Sequence, residues 1–207
     1  MSLGCAVFAS GNGSNFQALI NRKTTGDLDV DFKLFIGNNS KAGSFEIARK
    51  ADIKAVHMAP SHYKTEKEYN DKLMNILDGE NIELVILAGY MKKLPSELVH
   101  KFRHRIVNIH PGLLPAFGGK GMYGSKVHQA VLDYGAKVTG ITVHFVDEKY
   151  DHGPVILQKT VNVEDTDDVN SLAKRVLAVE HDNYWKAIKA IAQKKITIEG
   201  RRVFCNV

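Results

Sequence analysis

Cysteine is scarce: Cys5 and Cys205 stand near opposite ends of 207 residues. With no CxxC pair, neither a disulfide framework nor a cysteine zinc site is expected, and a reducing compartment, the cytoplasm, is the simplest setting. Long apolar runs are missing too. None approaches the ~20 residues of a membrane span, so no membrane partner is expected. The first apolar stretch, Cys5–Ala9, has no basic region before it and stops at Ser10-Gly11, so it is not expected to act as a signal peptide. Nor is there an excess of one charge. The 28 Lys+Arg against 23 Asp+Glu leave +5, a mild bias toward anionic ligands rather than the basic stripe of a nucleic-acid binder. At 44% hydrophobic and 25% charged residues, the chain can bury a core, which excludes disorder as its main state.

What is present alternates. Short apolar runs read as strands at Cys5–Ala9, Phe32–Ile36, Ile53–Met58, Leu84–Ala88 and Ile106–Ile109. Helical patterns lie between them: from about Asn15, over Gly43–Ala51, over Thr65–Leu77, and from a cap at Ser96 to His100 or Phe102. This order predicts an α/β fold, a mostly parallel sheet with helices on both faces. The longer runs Val138–Val146 and Val155–Val163, separated by the polar loop Asp147–Pro154, predict antiparallel pairing. One long helix is expected over Asp168–Lys194, with Leu172, Val176, Val179, Ile188 and Ile191 on its buried side. No linker or repeat interrupts the chain, so residues 1–207 are expected to form a single domain.

Five segments invite chemistry. Ser10-Gly11-Asn12-Gly13-Ser14-Asn15 joins the first strand to the first helix. It reads either as a phosphate cradle at a helix N-terminus or as a tight turn capped by Ser14 or Asn15. It is not a dinucleotide fingerprint. Phe16 stands where the third glycine belongs, and no acidic residue follows the second strand. The stretch 119–126, GKGMYGSK, has P-loop spacing, but its Ser125 precedes Lys126, the reverse of a P-loop; it reads as a Gly-rich loop. His100 and His104 are four apart, yet Lys101 occupies the glutamate position of a zinc helix, and no metal site is expected. Asn108 and His110 alternate onto one side at the C-terminal end of a strand, where open α/β sheets hold ligands; a buried structural histidine is the plainer reading. Asp151, in a Gly-Pro loop, is either a turn residue or a partner for His110.

The segments SGNGSN, LAGYM (87–91), NIHPGLLP (108–115), GITVHFV (140–146), DHGPVILQ (151–158) and VEH (179–181) occur in one order from about residue 5 to 190. The series resembles the glycinamide ribonucleotide transformylase family of folate-dependent formyltransferases. That resemblance implies a Rossmann-like formyltransferase fold. It also implies transfer of a formyl group from 10-formyltetrahydrofolate to the amine of glycinamide ribonucleotide in purine synthesis. By resemblance, Asn108, His110 and Asp151 are the catalytic trio. Gly13, Ser14 and Asn15 hold the ribonucleotide phosphate, and Glu180 stands near the glycinamide end. Met91, Lys92, Lys93 and Leu94, with Asn108 and the loop from Val146 to Asp151, line the folate pocket. Thr142 stands where relatives carry Ser or Thr near the active site. The basic residue that meets the folate tail in relatives has no clear match; Lys64, Lys67, Lys92 and Lys93 are the candidates, and Glu66 occupies the aligned position. The implied partners are small-molecule substrates, with no metal and no nucleic acid, acting on a monomer or homodimer.

The residue types suit that chemistry. Attack of an amine on a formyl carbon generates an oxyanion, which needs aimed donors in a dry site. Asn108 offers an amide N–H, and His110, held charged by Asp151, offers a charge-assisted one. Asp151 is expected to collect the amine proton and His110 to protonate the departing folate nitrogen.

Overall fold

The computed structural model describes residues 2–205 and divides into two compact units, Met1–Val107 and Asn108–Val207. In the first unit, β1 (Leu3–Ala9) pairs in parallel with β2 (Val30–Gly37) on one side and with β4 (Leu84–Leu87) on the other. The strand β3 (Lys54–His57) adds to β2, giving the order β3-β2-β1-β4. Strands β1 and β4 are buried almost throughout, as the unbroken apolar runs CAVFA and LVIL require of strands covered on both faces.

The helices of this unit are α1 (Ser14–Thr24), α2 (Ser44–Lys50), α3 (Glu66–Gly79) and α4 (Ser96–Lys101). Their starts follow local chemistry. Thr65 caps α3 by accepting from the Glu68 N–H at 3.1 Å, with Glu66 and Glu68 at the positive end, and Tyr69, Leu73 and Leu77 form its buried stripe. The expected cap at Ser96 is corrected. Pro95 occupies the cap position and Ser96 is the first helical residue, because Pro95 already sets an extended entry and leaves no N–H to satisfy.

Strand β5 (Ile106–His110) starts in the first unit and ends in the second. In the second unit, β6 (Val138–Phe145) and β7 (Val155–Asn162) pair antiparallel, as expected. Two elements were not anticipated. A helix, α5 (Ser125–Tyr134), follows the Gly-rich loop, and a hairpin, β8 (Ile196–Glu199) with β9 (Arg202–Cys205), lies along β7.

The long helix α6 (Val169–Ala192) packs on α5, β6 and β7. It opens with a reciprocal capping box: the Asp168 carboxylate accepts from the Ser171 N–H at 2.7 Å, and the Ser171 hydroxyl accepts from the Asp168 N–H at 3.0 Å. Its buried stripe runs Leu172, Val176, Glu180, Tyr184, Ala187 and Ile188, whereas Val179 and Ile191 are only half-buried. A carboxylate therefore sits in an apolar row. No helix among the described residues is long and apolar enough to cross a membrane.

Candidate active site

In the first unit, the turn after β1 is held from several directions. The Ser10 N–H donates to the Gly89 carbonyl at 3.1 Å, and its hydroxyl donates to Asn38 Oδ1 at 2.6 Å and accepts from the Met91 N–H at 2.9 Å. The Gly-rich turn is thus tied to Gly89 and to Met91, the first of the residues that the resemblance assigns to folate. Gly13 is left-handed (φ 77°) and occupies the cap position of α1. The expected cap by Ser14 or Asn15 is corrected: both lie inside the helix, no side chain caps it, and no acidic residue lies in its first turn. An uncapped helix start behind glycines offers its N–H groups to an anion.

Of the folate candidates, Met91 is 54% exposed, Lys92 and Lys93 are exposed, and Leu94 is buried. Lys67 is paired with Asp71 at 2.5 Å, while the Lys64 side chain is exposed. Val146, the residue after β6, is half-buried.

The second unit brings Asn108, His110 and Asp151 together. His110 Nε2 donates to the Phe117 carbonyl at 2.9 Å, and Nδ1 lies 3.6 Å from Asp151 Oδ2. The two side chains are 3% and 12% exposed. Asp151 Oδ2 also accepts from the Gly119 N–H at 2.9 Å, so the Gly-rich loop supports both residues.

A fourth residue, His144, completes the cluster and was not singled out in the sequence. Its Nδ1 donates to the Phe145 carbonyl at 2.8 Å, which leaves Nε2 as an acceptor. Nε2 accepts from the Asn108 amide nitrogen at 3.2 Å and lies 3.8 Å from Asp151 Oδ1. His144 thereby fixes which way the Asn108 amide points. Thr142, fully buried, donates to the Gly112 carbonyl at 2.7 Å and accepts from the Leu114 N–H at 3.0 Å, pinning the chain just after His110. Glu180 is 6% exposed on α6. Burying a carboxylate is costly unless a partner or ligand compensates, so its place in an apolar row was a signal available from spacing alone.

Burial sets the electrostatics. It pushes the His110 pKa below its ordinary value, with the Asp151 charge and the Phe117 carbonyl opposing. The Asp151 charge acts to hold the ring charged, as expected, but desolvation outweighs it. Burial lowers His144 and His128 as well. The unfolded chain takes up protons near the ordinary histidine value of about 6.5, where the folded rings stay neutral. Stability from these groups is complete above that pH and is lost as pH falls below it. Thermal unfolding at pH 5.5 should therefore begin lower than at pH 7.5. His128→Gln should shrink the difference; equal melting at the two pH values would contradict the burial argument.

Among the described residues, no group of three or more His, Cys, Asp or Glu side chains is arranged to hold a metal ion. The Cys5 thiol is buried and its pKa is pushed up to about 12, which removes it as a nucleophile.

An amide, an imidazole and a carboxylate gathered at the end of a strand are the equipment of an α/β enzyme that moves protons and stabilises an oxyanion. The chain belongs to the formyl transferase family, whose model matches residues 4–188. It is 44% identical over 196 residues, 92% of this chain and 66% of the relative, to a chloroplastic phosphoribosylglycinamide formyltransferase of Arabidopsis thaliana. It is 36% identical over 186 residues, 90% of this chain and 93% of the relative, to the phosphoribosylglycinamide formyltransferase of Bacillus subtilis. The chain spans about two thirds of the length of the plant relatives it matches, 66% and 61%. Among solved structures, glycinamide ribonucleotide transformylase 1 from Symbiobacterium toebii superposes with a TM-score of 0.92 at 38% identity, covering 99% of this chain and 94% of that one. The expected fold, an α/β, Rossmann-like formyltransferase fold with a mostly parallel sheet and a long C-terminal helix, is the fold observed.

Proposed function

We propose that this chain transfers the formyl group of 10-formyltetrahydrofolate to the amine of glycinamide ribonucleotide, a step of purine synthesis, by direct attack. The observation that carries this reading is the meeting of half-buried Asn108 and Asp151 with buried His110 in a chain of the formyl transferase family.

The uncapped start of α1, with Gly13, Ser14 and Asn15, suits the ribonucleotide phosphate. Exposed Met91 and buried Leu94 offer apolar contact to a pteridine, and exposed Lys92 and Lys93 suit an anionic glutamate tail. Both substrates are small molecules, and the high thiol pKa of Cys5 fits a route without a covalent intermediate.

In the proposed reaction the amine nitrogen attacks the formyl carbon, and the carbonyl electrons move onto oxygen. Asn108 spends one amide hydrogen on His144, so the other is aimed at the oxyanion. His110 is neutral at rest because burial lowers its pKa. Asp151 accepts the proton the amine sheds and passes it to His110 Nδ1, 3.6 Å away, and the growing oxyanion favours the charged ring as the intermediate forms. His110 returns one to the folate nitrogen as the carbon–nitrogen bond breaks, leaving the formylated ribonucleotide and tetrahydrofolate.

The testing experiment follows the folate absorbance with both substrates present and with each left out. Folate product should appear only when the ribonucleotide is added. Product formed at the same rate without it would identify a hydrolase instead. In the same assay Glu180→Gln should raise the ribonucleotide KM by about tenfold, equivalent to ~1.4 kcal/mol, and leave the folate KM alone. A defect confined to folate would remove Glu180 from the acceptor side.

A further inference from the structure

The loop that carries Asp151 is held at several points. At its base the Phe145 N–H donates to the Pro154 carbonyl at 2.9 Å. A Cβ on Gly153 would lie 1.9 Å from the Phe145 carbonyl oxygen, so the chain can leave the loop this closely only as glycine. Inside the loop, Asp147 accepts from the Lys149 N–H at 2.9 Å and from His152 Nδ1 at 2.7 Å. Asp151 itself is left-handed (φ 51°), a conformation that aspartate reaches more readily than most residues with a Cβ but still at a cost that contacts around the loop must offset.

One further restraint comes from the C-terminal hairpin. Arg201, in the turn between β8 and β9, donates Nη2 to the His152 carbonyl at 2.5 Å. Its Nη1 lies 3.4 and 3.5 Å from the two ring nitrogens of His152, so the guanidinium rests against the imidazole. The hairpin that presents it runs along β7, the strand into which the loop feeds.

We infer that Arg201 is a positioning residue for the reaction, a clamp from the hairpin that holds the Asp151 loop in its left-handed turn against His110. Arg201 touches no reacting group; it acts on His152, one residue from Asp151. Without it the His152 carbonyl turns to water, Asp151 relaxes toward ordinary backbone angles, and its carboxylate draws away from His110, to which it is already at 3.6 Å. Arginine suits this role better than lysine, because a planar fork can donate to a carbonyl and lie flat on a ring at once.

The inference rests on the reading of Asp151 as the proton acceptor, so its test runs Arg201→Ala, Arg201→Lys and Asp151→Asn side by side with the full chain. Arg201→Ala should lose kcat on the order of ten- to a hundredfold, the scale of a misplaced catalytic group, with the ribonucleotide KM and the melting temperature close to wild type. The pH–rate limb belonging to His110 should move to lower pH, because a retreating carboxylate no longer supports the charged ring. Arg201→Lys should recover part of kcat. Wild-type kcat and pH profile in Arg201→Ala, beside an inactive Asp151→Asn, would overturn the clamp and leave the catalytic reading intact. An active Asp151→Asn would overturn both. Should Arg201→Ala fail to fold, Arg201→Lys decides alone: a lowered kcat with a displaced pH limb supports the clamp, and an unchanged profile rejects it.

Discussion

Asp151→Asn is expected to lose a factor on the order of 10²–10⁴ in kcat, roughly 3–5 kcal/mol of barrier, with both KM values little changed. The carboxylate has two tasks in the proposed reaction. It accepts the amine proton, and its charge opposes the burial that keeps His110 neutral. Asparagine keeps the shape and can still accept from the Gly119 N–H, so the loop should stay in place. The loss is then chemical. His110→Ala should cost far less in the Asp151→Asn background than on its own, because groups that act as a unit lose their effect together. A double-mutant cycle in kcat decides it. Additive losses, or a fully active Asp151→Asn enzyme, would return Asp151 to the status of a turn residue.

The second large effect belongs to Gly13→Val. A Cβ at position 13 would lie 2.8 Å from Ser44 Cβ and 3.0 Å from Ile47 Cδ1, and the backbone there has φ 77°. Left-handed geometry costs a residue with a Cβ about 1–2 kcal/mol, and a branched side chain adds to the clash with α2. The turn must open, and the N–H groups at the start of α1 lose their common aim. The ribonucleotide KM should rise on the order of a hundredfold, ~2.7 kcal/mol, while the folate KM changes little and the melting temperature falls. A folded Gly13→Val protein with wild-type ribonucleotide affinity would show that this turn binds no phosphate.

These predictions draw on residues that were unequally legible. Strands β1 and β4 and helix α6 were plain because CAVFA, LVILA and a four-residue apolar spacing each have one physical reading. Helix α5 was hidden: its ten residues follow directly on glycines whose spacing imitates a P-loop. The β8-β9 hairpin alternates too briefly, over four residues a side, to announce itself, and with it Arg201 was missed. The N-cap of α1 went to Gly13 rather than to Ser14 or Asn15 because the turn needs a positive φ, a backbone demand that side-chain preference does not reveal.

The site shows the same division. Residue types and strand alternation placed Asn108 and His110 together, but Asp151 comes 41 residues after His110 and reaches it only through the β6-loop-β7 path. His144 reads in sequence as one more residue of a strand. Its role follows from a tautomer set by the Phe145 carbonyl, which no pattern encodes. The protonation of His110 was misjudged for a similar reason: sequence shows the carboxylate but not the depth at which both groups lie.

The most direct test of the central claim is the fate of one carbon. The folate donor is labelled with ¹³C at the formyl carbon, mixed with glycinamide ribonucleotide and the enzyme for less than one turnover, and read by NMR. The label should leave the folate and appear in the formamide of the ribonucleotide, with free formate absent and the Asp151→Asn enzyme leaving the donor intact. Label recovered as formate, or retained on the folate by the wild-type enzyme, would contradict the claim.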